Sequence, residues 1–554
     1  MATFGGVQHL FGKTQASRSS EFSEKESNVK HYGAKGDGKT DDTAAIQKAV
    51  ATTGNRLFFP KGHYKISKTI LIDLAKMGYA SIRGNGDAQV IMAGAGPAFK
   101  IAGTHFGSAD PEGFDKKVWS SERMPLLEGL SIEGQHKAAV GIEAIGTMQL
   151  TITRVQIRHT FHAIHLKENN RNLIIADCHL YENHGIGIFY DGVNLHQSNI
   201  TGSHISYNKE GGIVTKGGNI RNIHITGCDI ESNMGSDKAP TANVLIDCSG
   251  SAVGTAEVAI TGCTIQHNRN APNSANIRII GKDQSGIGSE KERWGNVTIT
   301  GNVLSDVMVN IDLQYCRGVV VTGNTIWQGY DYGLLMEGCS NVVFGSNLFD
   351  ANANYPSGTL PSNKLLVTNS EDCTFSGVQV YGSKDSPGLV VRDSKRINIG
   401  NCSLLSCEEV GLLLDNVTDS KVSGCMITAL NPNDSSFEPI QSIGGHGRSR
   451  IWLVILLMMT GVFGESLGQT EHEFPFQARL LDEKFDLPNT MMKGVGEFLD
   501  QALQESKATR NDFWQRDFTS PAAFNQSIAS QRQELQEILG LIGKRSIPFM
   551  SYQE

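Results

Sequence analysis

The sequence lacks the features that mark several common classes of protein. None of its ten cysteines belongs to a Cys-x-x-Cys pair, which argues against a zinc ribbon or a dithiol redox motif. Its formal net charge is −8 and it has no basic stripe, so nucleic acid is not an expected partner. No apolar run approaches the ~20 residues that a membrane-spanning helix needs. Only 19% of the residues are charged, which suits a β protein rich in turns.

What the sequence has instead is a repeated phrase. Residues 222–230, Asn-Ile-His-Ile-Thr-Gly-Cys-Asp-Ile, recur in variant form at intervals of 22 to 39 residues. A second phrase, a small or polar residue followed by apolar residues two apart, lies between successive copies. Short alternating segments predict strands, and a fixed period above twenty residues predicts a solenoid. The Gly-Cys or Gly-Asn step of the first phrase recurs at Gly227, Gly262, Gly301, Gly323 and Gly424.

These repeats predict an all-β fold, a parallel β-helix over residues 28–430. One coil cannot bury its inward apolar side chains alone, whereas stacked coils form a continuous apolar column. Asn and Cys at the recurrent step predict a ladder of small side chains stacked at an inward turn. We therefore expect the cysteines to be buried and reduced, because a free cysteine behaves as a small apolar residue.

A glycine-rich stretch near the start invites a different interpretation. The stretch that begins at Gly33 and ends at Thr40 satisfies the GxxxxGK[ST] pattern of a phosphate-binding loop. Asp41 and Asp42 follow it directly and would repel a phosphate, and no βαβ pattern comes after them. We therefore expect no nucleotide. The sequence favours a glycine turn and a helix over residues 42–51 that caps the open end of the solenoid.

Two segments carry a resemblance to a known family, Tyr32-Gly-Ala-Lys-Gly-Asp-Gly-Lys-Thr40 and Leu57-Phe-Phe-Pro-Lys-Gly-His-Tyr-Lys-Ile66. They resemble the opening of the pectate lyase superfamily of right-handed parallel β-helices, together with polygalacturonase-like hydrolases, β-1,3-glucanases and phage tailspikes. The resemblance covers roughly residues 28–430. It implies a right-handed fold and a polysaccharide-handling protein. It also implies a carbohydrate cleft on the sheet built from the second phrase.

Outside the repeats the chain divides into four further segments. Residues 1–27 predict a disordered lead-in without the apolar core of a signal peptide. A linker is expected at 431–450, and residues 451–468 have the pattern of an export signal in mid-chain. Residues 469–554 predict helices and weakly resemble the start of bacterial acetylxylan-esterase-like hydrolases, although they lack a GxSxG elbow. We interpret this tail as a truncated reading frame joined to the first.

Charged residues on the outward face of the second phrase are the catalytic candidates. Asp247, Arg278 and Asp312 lie on three consecutive coils. Carboxylates two coils apart have backbones about 9–10 Å apart, near the carboxyl separation of an inverting glycosidase. Arg278 would hold both carboxylates ionised or, in a lyase, accept the substrate proton. The alternative is a solvated ladder of charges, which any polar sheet face can carry.

We expect six further side chains on this face and the adjoining turn to bind substrate: Glu143, His165, Lys167, Glu182, Lys216 and His267. The alternation places Gly187 beside His165 and Phe189 beside Lys167. Two enlarged coils, residues 233–243 and 268–298, are expected to wall a cleft. No histidine spacing matches a zinc signature, so no metal site is predicted, although an elimination mechanism would call for Ca²⁺.

The sequence thus predicts an extracellular or cell-envelope hydrolase or lyase that binds a polysaccharide along a β-helix. No cofactor other than calcium is expected. Because no complete catalytic signature is present, the alternative is a non-catalytic glycan-binding or surface-structural β-helix.

Overall fold

The computed structural model describes residues 27–108, 115–235, 241–282, 293–350, 363–383, 387–445, 450–452, 500 and 516–538. The chain forms two compact units, Met1–Met458 and Met459–Glu554. Within the described residues, no helix is both long and apolar enough to cross a membrane.

The first unit is a parallel β-helix, as the repeats predict. The coils stack their strands into three series, and each strand pairs in parallel with its counterparts in the neighbouring coils. Two of the series are joined by long strands into one sheet of 27 strands, and the third series is a sheet of 15 strands; we treat the three series as three sheets. The strands alternate inward apolar and outward polar side chains, so each sheet has one buried and one outer face. We call the three sheets sheet one, sheet two and sheet three.

Sheet one holds the strands of the second repeated phrase. They are Ile70–Asp73, Gly96–Ala102, Ala139–Met148, Ile164–Ala176, Ile186–Thr201, Gly211–Lys216, Ala242–Asp247, Ala275–Ile280, Val307–Gln314, Gly329–Glu337, Leu365–Thr368, Leu389–Arg392, Val410–Asp415 and Glu438–Ile443. The two longest, Ile164–Ala176 and Ile186–Thr201, turn the corner and continue into sheet two.

Sheet two holds the strands that precede the Gly-Cys or Gly-Asn step. They are Arg56–Phe59, Ser81–Gly84, Leu126–Glu128, Thr151–Thr153, Asn219–Thr226, Thr255–Thr261, Gly295–Thr300, Arg317–Thr322, Ser340–Phe344, Glu371–Ser376, Lys395–Gly400, Lys421–Ser423 and Arg450–Trp452.

Sheet three holds the strands that follow this step. They are Asp37–Asp41, Gly62–Ile66, Ala88–Met92, Ser131–Gly134, Gln156–Arg158, His179–Tyr181, His204–Ser206, Asp229–Glu231, Thr264–Gln266, Val303–Ser305, Thr325–Trp327, Leu348–Asp350, Gln379–Ser383, Ser403–Cys407 and Met426–Ala429.

The described helices are short. The first unit has a 3₁₀ helix at Val29–Tyr32, α-helices at Thr43–Thr53 and Leu74–Met77, and a π-helical turn at Val118–Glu122. The second unit has α-helices at Pro521–Ser527 and Ala529–Ile538, within the tail that the sequence predicts to be helical.

The inward side chains of the three sheets form one continuous apolar core. Ile205, Ile230 and Ile265, for example, occupy the same position in successive coils and are fully buried. Each such side chain stabilises the fold by about 1.5–3 kcal/mol relative to exposure. The core therefore grows by one layer for every coil that is added.

The turn from sheet two to sheet three carries the ladder that the sequence predicts. The backbone N–H of Cys263 donates to Oδ1 of Asn302 at 3.0 Å, and that of Asn302 donates to Oδ1 of Asn324 at 2.9 Å. The N–H of Asn324 donates in turn to Oδ1 of Asn347 at 3.0 Å. Each small polar side chain thus satisfies the backbone of the preceding coil, and the predicted ladder is confirmed.

A second asparagine ladder, absent from the sequence prediction, runs from the turn between sheets three and one into the strands of sheet one. Each side-chain amide donates to the amide oxygen of the next member at 2.7 to 2.9 Å, and all members are fully buried. The members are Asn183, Asn208, Asn233, Asn243, Asn276 and Asn310. We call this set the amide ladder.

The cysteines belong to the wall of the core. All ten lie in the described residues, none is in a disulfide, nine are buried and Cys425 is half-buried. Burial raises the pKa of Cys178 and of Cys248 to about 11, so both thiols remain protonated at neutral pH. The burial expected for the cysteines is confirmed.

The glycine loop of residues 33–40 is closed by a side chain of the same chain. The backbone N–H groups of Lys35 and Gly36 donate to the two carboxylate oxygens of Asp42 at 2.6 and 2.9 Å. The Asp42 carboxylate therefore accepts hydrogen bonds from backbone N–H groups that would bind a phosphate in a phosphate-binding loop.

The helix predicted over residues 42–51 is present as Thr43–Thr53. Its Ile46 is fully buried in the core of the β-helix. Its Gln47 exchanges two hydrogen bonds, of 3.2 and 3.0 Å, with the backbone of Leu71 in the first strand of sheet one. These contacts fix the helix on the first coil, and its capping role stays a prediction.

The stack continues into the segment that the sequence assigns to a linker, residues 431–450. Glu438–Ile443 pairs with Val410–Asp415, and Arg450–Trp452 pairs with Lys421–Ser423. This segment has no Gly-Cys or Gly-Asn step, so the repeat does not reveal it. The predicted lead-in up to residue 26, the apolar segment from residue 453 and most of the tail lie outside the described residues.

The amide ladder predicts a large stability loss when one member is removed. Asn276→Ala deletes the acceptor for Asn243 and the donor to Asn310 and to the Ser305 carbonyl, all in buried surroundings. We expect a loss of about 2–4 kcal/mol, measured by the midpoint of denaturant unfolding. Asn199→Ala, at an exposed position on sheet two, should shift the midpoint by no more than about 0.5 kcal/mol. Equal shifts for the two variants would contradict this role of the ladder.

Candidate functional site

Two columns of outward side chains run along sheet one, two residues apart on each strand. One column contains Glu143, His165, Phe189, Val214, Leu245, Arg278 and Asp312. The other contains Lys167, Asp191, Lys216, Asp247, Ile280 and Gln314. The predicted alignment of Gly187 and Phe189 is wrong by two residues, because Phe189 pairs with His165 and Asp191 pairs with Lys167.

This shift in alignment has a cause in the core. In strand Ile186–Thr201, the inward position that pairs with Leu166 is occupied by Tyr190, which is fully buried. Its hydroxyl is satisfied inside the core by Oγ of Ser198 at 2.6 Å. A buried tyrosine needs such a partner, and Ser198 supplies it from the part of the strand that has turned the corner into sheet two.

A groove lies over the first half of this face and encloses about 430 Å³. Its apolar lining residues are Phe161, Ile186, Phe189, Val214 and Leu245, and its polar lining residues are His162, Glu210, Lys216, Thr241 and Asp247. An apolar wall with a few polar groups is typical of a ligand-binding site. The groove therefore contains two of the predicted site residues, Lys216 and Asp247.

An aromatic and imidazole cluster forms one end of the groove. The rings of His165 and Phe189 stack with centroids 5.2 Å apart, and His162 lies 5.1 Å from His165 and 5.0 Å from Phe189. Nε2 of His165 lies 2.9 Å from a carboxylate oxygen of Asp191. Asp191 therefore orients His165 from the neighbouring coil.

His162 is held neutral at this end of the groove. Its Nδ1 accepts a hydrogen bond from the backbone N–H of Ile186 at 3.0 Å, so the proton of the neutral ring lies on Nε2. Burial, and next the charge of nearby His165, lower the pKa of His162 from 6.5 to about 4. The imidazole can thus offer an N–H to a ligand at neutral pH.

Charges alternate along the outer column that borders the groove. Lys167, Asp191, Lys216 and Asp247 lie in register on four successive coils. Glu143, in the adjoining column, lies 3.9 Å from the Lys167 ammonium and 2.9 Å from that of a lysine one coil earlier. The predicted substrate residues Glu143, His165, Lys167 and Lys216 therefore do share one face.

Two of the three catalytic candidates form a buried ion pair. Nε of Arg278 lies 2.6 Å from Oδ2 of Asp312, and these residues are only 6% and 1% exposed. Arg278 also donates to the backbone carbonyls of Thr241, at 3.3 Å, and Asn273, at 2.7 Å. The pair thus ties sheet one to two loop segments, and Gln314 donates to Asp312 from the side.

The third candidate, Asp247, lies apart from this pair. In register it faces Ile280, while Arg278 faces Leu245. The Asp247 carboxylate is half-buried beside the groove and accepts hydrogen bonds from the N–H and hydroxyl of Ser249 at 2.9 and 2.5 Å. The structure therefore brings Arg278 and Asp312 together and leaves Asp247 on the groove without them.

Glu182 and His267 lie on the turn from sheet three to sheet one rather than on the face of sheet one. Glu182 lies 3.2 Å from Nε2 of His159, and His267 lies 3.9 Å from the carboxylate of Asp306. Parts of the two enlarged coils, residues 236–240 and 283–292, lie outside the described residues.

Among the described positions, no three His, Cys, Asp or Glu side chains converge in a way that could hold a metal ion. The residues present there thus form no preassembled calcium cluster, and we derive no chemical step through a metal.

The groove also contains residues that the sequence analysis does not predict, namely Phe161, His162, Glu210 and Thr241. They precede strands of sheet one, in segments where the repeat is irregular and alternation does not assign a face. They could be identified in the sequence by their position, because each lies just before a strand of sheet one, where the turn from sheet three ends.

Two family models match the chain. The model described as rhamnogalacturonase A/epimerase, pectate lyase-like, matches residues 27–278. The model described as right handed beta helix region matches residues 242–383.

Curated relatives match over shorter stretches. Alginate lyase 7 of Azotobacter vinelandii is 29% identical over 191 residues, which are 30% of this chain and 21% of the relative. A probable glucan endo-1,3-β-glucosidase of Arthroderma benhamiae is 32% identical over 116 residues, 19% of this chain and 12% of the relative. The chain thus spans about a fifth or less of the length of these two relatives.

Solved structures of similar architecture include the mannuronan C-5 epimerase A-module of Azotobacter vinelandii, with 14% identity and a TM-score of 0.36. That match covers 77% of this chain and 97% of the epimerase module. A family 28 exopolygalacturonase of Yersinia enterocolitica matches with 12% identity and a TM-score of 0.37, covering 76% of this chain and 78% of that enzyme.

The two family matches together run from residue 27 to residue 383, through the same coils that stack into the three parallel sheets. This part of the chain is therefore similar to the pectate lyase-like and right-handed β-helix families, and it has the fold of a right-handed parallel β-helix.

Proposed function

We propose that the protein is a polysaccharide-acting enzyme, a hydrolase or a lyase, that binds a glycan along the outer face of sheet one. The observation that carries the proposal is the groove, whose lining combines Phe189 and His162 with Lys216 and Asp247. An apolar ring can support the C–H face of a sugar, while the imidazole, ammonium and carboxylate groups bind its hydroxyls. The family match and the curated polysaccharide-acting relatives support this class. Such a substrate suits an extracellular or cell-envelope location.

Asp247 is the residue that we propose to take part in the chemistry. It borders the groove and has Lys216 as its neighbour in register on the preceding coil. In a hydrolase, Asp247 would act as general base or acid, with Glu210 as the other carboxylate that lines the groove. In a lyase acting on a uronate, neutral Lys216 would accept the C5 proton next to the carboxylate. The C4=C5 double bond then forms as the C4–O glycosidic bond breaks, and the departing oxygen takes a proton from water.

Arg278 and Asp312 have a different role in this proposal. A catalytic group must reach its substrate, and Asp312 is 1% exposed beneath its ion pair. We propose that the pair positions the groove wall, because Arg278 binds the Thr241 carbonyl and Thr241 lines the groove.

A second function, glycan binding without catalysis, is favoured by one specific observation. Asp312, one of the two carboxylates expected to react, is buried and neutralised, so the expected Asp247 and Asp312 pair does not face the groove. In this case the groove would hold a glycan and leave it intact.

A panel assay separates these functions. The protein should release products from at least one of alginate, polygalacturonate, rhamnogalacturonan and β-1,3-glucan. New reducing ends alone indicate hydrolysis, and additional absorbance of unsaturated uronate indicates elimination. Parallel reactions with Ca²⁺ and with a chelator test the calcium expectation. Retention of a polymer in affinity electrophoresis without any product would establish the binding function instead, and neither product nor retention would refute both.

Replacement by asparagine should reduce turnover at Asp247 and reduce stability at Asp312. Asp247→Asn should lower turnover by a factor of about 10²–10⁴ with little change in stability, because the side chain is half-buried and bonds only locally to Ser249. Asp312→Asn leaves the buried Arg278 without its counter-ion and should cost about 3–5 kcal/mol. Turnover and the midpoint of denaturant unfolding are measured for each variant. An active wild type whose turnover is unchanged by Asp247→Asn would place the chemistry elsewhere.

His162 predicts a specific pH dependence of stability. Its folded pKa of about 4 lies below the 6.5 of the ordinary ring, so the unfolded chain takes up a proton first as the pH falls. The stability contributed by the neutral ring is complete above pH 6.5 and is lost as the pH falls toward 4, at up to about 1.4 kcal/mol per pH unit. His162→Asn keeps an acceptor for Ile186 without titrating.

We therefore expect the unfolding free energy of the wild type to fall more steeply between pH 6.5 and 4 than that of His162→Asn. His224→Asn, at an exposed position on sheet two, is the matched control and should follow the wild type. Parallel curves for all three proteins would contradict a neutral His162 in the fold.

A further inference from the structure

A second cavity lies on the turn from sheet three to sheet one and encloses about 360 Å³. It is lined by Ser232, His267, Asn268, Arg269, Asp306 and Tyr330. These residues come from four successive coils, those whose sheet-one strands carry Asp247, Arg278, Asp312 and Leu335. The cavity is therefore beside the outer face of sheet one, toward the C-terminal side of the groove.

A β-bulge places the aromatic side chain in this cavity. Val307 pairs with Gly329, while Val309 pairs with Tyr332, so Tyr330 and Asp331 together oppose the single residue between the two valines. A bulge inserts one extra residue and redirects its side chain, and bulges are frequent next to functional sites. Because of this extra residue, Tyr330 does not follow the inward and outward alternation of the rest of its strand.

Arg269 covers the tyrosine from a loop that is held in place. Its guanidinium lies 5.4 Å from the centroid of the Tyr330 ring. Oγ of Ser274 donates to the carbonyl of Asn268 at 2.9 Å, and Arg278 donates to the carbonyl of Asn273 at 2.7 Å. Ser274 thus holds one end of the short loop that presents Arg269, and Arg278 of the buried ion pair holds the other end.

The polar side of the cavity is fixed from below by the amide ladder. Asn243 donates to the carbonyl of His267 at 3.1 Å, and Asn276 donates to the carbonyl of Ser305 at 2.9 Å. The Asp306 carboxylate accepts a hydrogen bond from the Ser305 hydroxyl at 2.7 Å. Its second oxygen has room for a further donor from the cavity, since a carboxylate accepts about four hydrogen bonds.

We propose that this cavity is a second glycan-binding site, which holds one pyranose unit of the chain bound in the groove. A stacked Tyr330 and Arg269 pair offers a flat wall to the ring, and Asp306, Asn268 and Ser232 offer groups for its hydroxyls. This inference rests on the proposed function, because the ligand of the cavity is part of the same polysaccharide. Because the cavity lies on later coils than the centre of the groove, it is reached only by a chain that extends past Asp247.

Affinity as a function of chain length tests this site. The probes are oligosaccharides of two and of eight units, prepared from the panel polymer that the wild type binds, and calorimetry gives Kd. Tyr330→Ala should weaken the octasaccharide about tenfold while changing the disaccharide by less than about twofold. Tyr381→Ala, which removes an exposed tyrosine from sheet three, is the matched control and should leave both affinities unchanged. Thermal denaturation checks that both variants fold.

The outcomes separate this inference from the proposed function. Suppose the wild type binds the octasaccharide and the Kd of Tyr330→Ala equals that of Tyr381→Ala. The cavity is then not a glycan site, and the proposed function rests on the groove alone. Equal weakening of the disaccharide and the octasaccharide by Tyr330→Ala would also overturn the inference, because it would place Tyr330 in the groove. If no polymer of the panel is bound or cleaved, it is the proposed function itself that fails.

Discussion

The structure depends on stacking in register, because buried polar groups in its turns form hydrogen bonds with the neighbouring coils. In the amide ladder, Asn208 donates to Asn233 while accepting from Asn183, and a displaced coil would break these hydrogen bonds. An unmatched buried amide costs about 1–3 kcal/mol, comparable to the gain from burying one apolar side chain. The core sets how strongly the coils associate, while the ladders set their alignment.

This division explains where variation is tolerated in the chain. The turn between sheets two and three is short in every described coil that carries Asn at its step, since the Asn backbone and side chain are both committed there. The enlarged coils instead insert their extra residues between sheet three and sheet one or between sheet one and sheet two. A loop placed there can vary in sequence without disturbing the ladder below it. The groove and the second cavity proposed as binding sites accordingly lie at sheet one, with fixed strands beneath and variable segments beside them.

The sequence predicts the fold well and the site only in part, for physical reasons that differ between residues. The turns at Gly301 and Gly323 can be predicted directly from the sequence, because their backbone has a positive φ that glycine adopts readily. The amide ladder is harder to infer, since Asn233 and Asn243 are neighbours in the ladder although they flank an insertion of the same coil. The alignment of Phe189 fails because a buried tyrosine, Tyr190, fills a position that alternation assigns to an aliphatic residue.

The role of Arg278 and Asp312 shows the limit of such inference most clearly. Alternation predicts correctly that both point outward from sheet one, and outward charged residues usually meet solvent. Alternation does not predict that both residues are buried. The loop segments that contain Thr241 and Asn273 lie outside the alternating strands, and their carbonyls accept hydrogen bonds from the guanidinium. Removing two charges from water is unfavourable unless their hydrogen bonds are satisfied, and here the loops supply them. The same pair that is withdrawn from the surface thereby holds Thr241, which lines the groove, and Asn273, which belongs to the loop that presents Arg269.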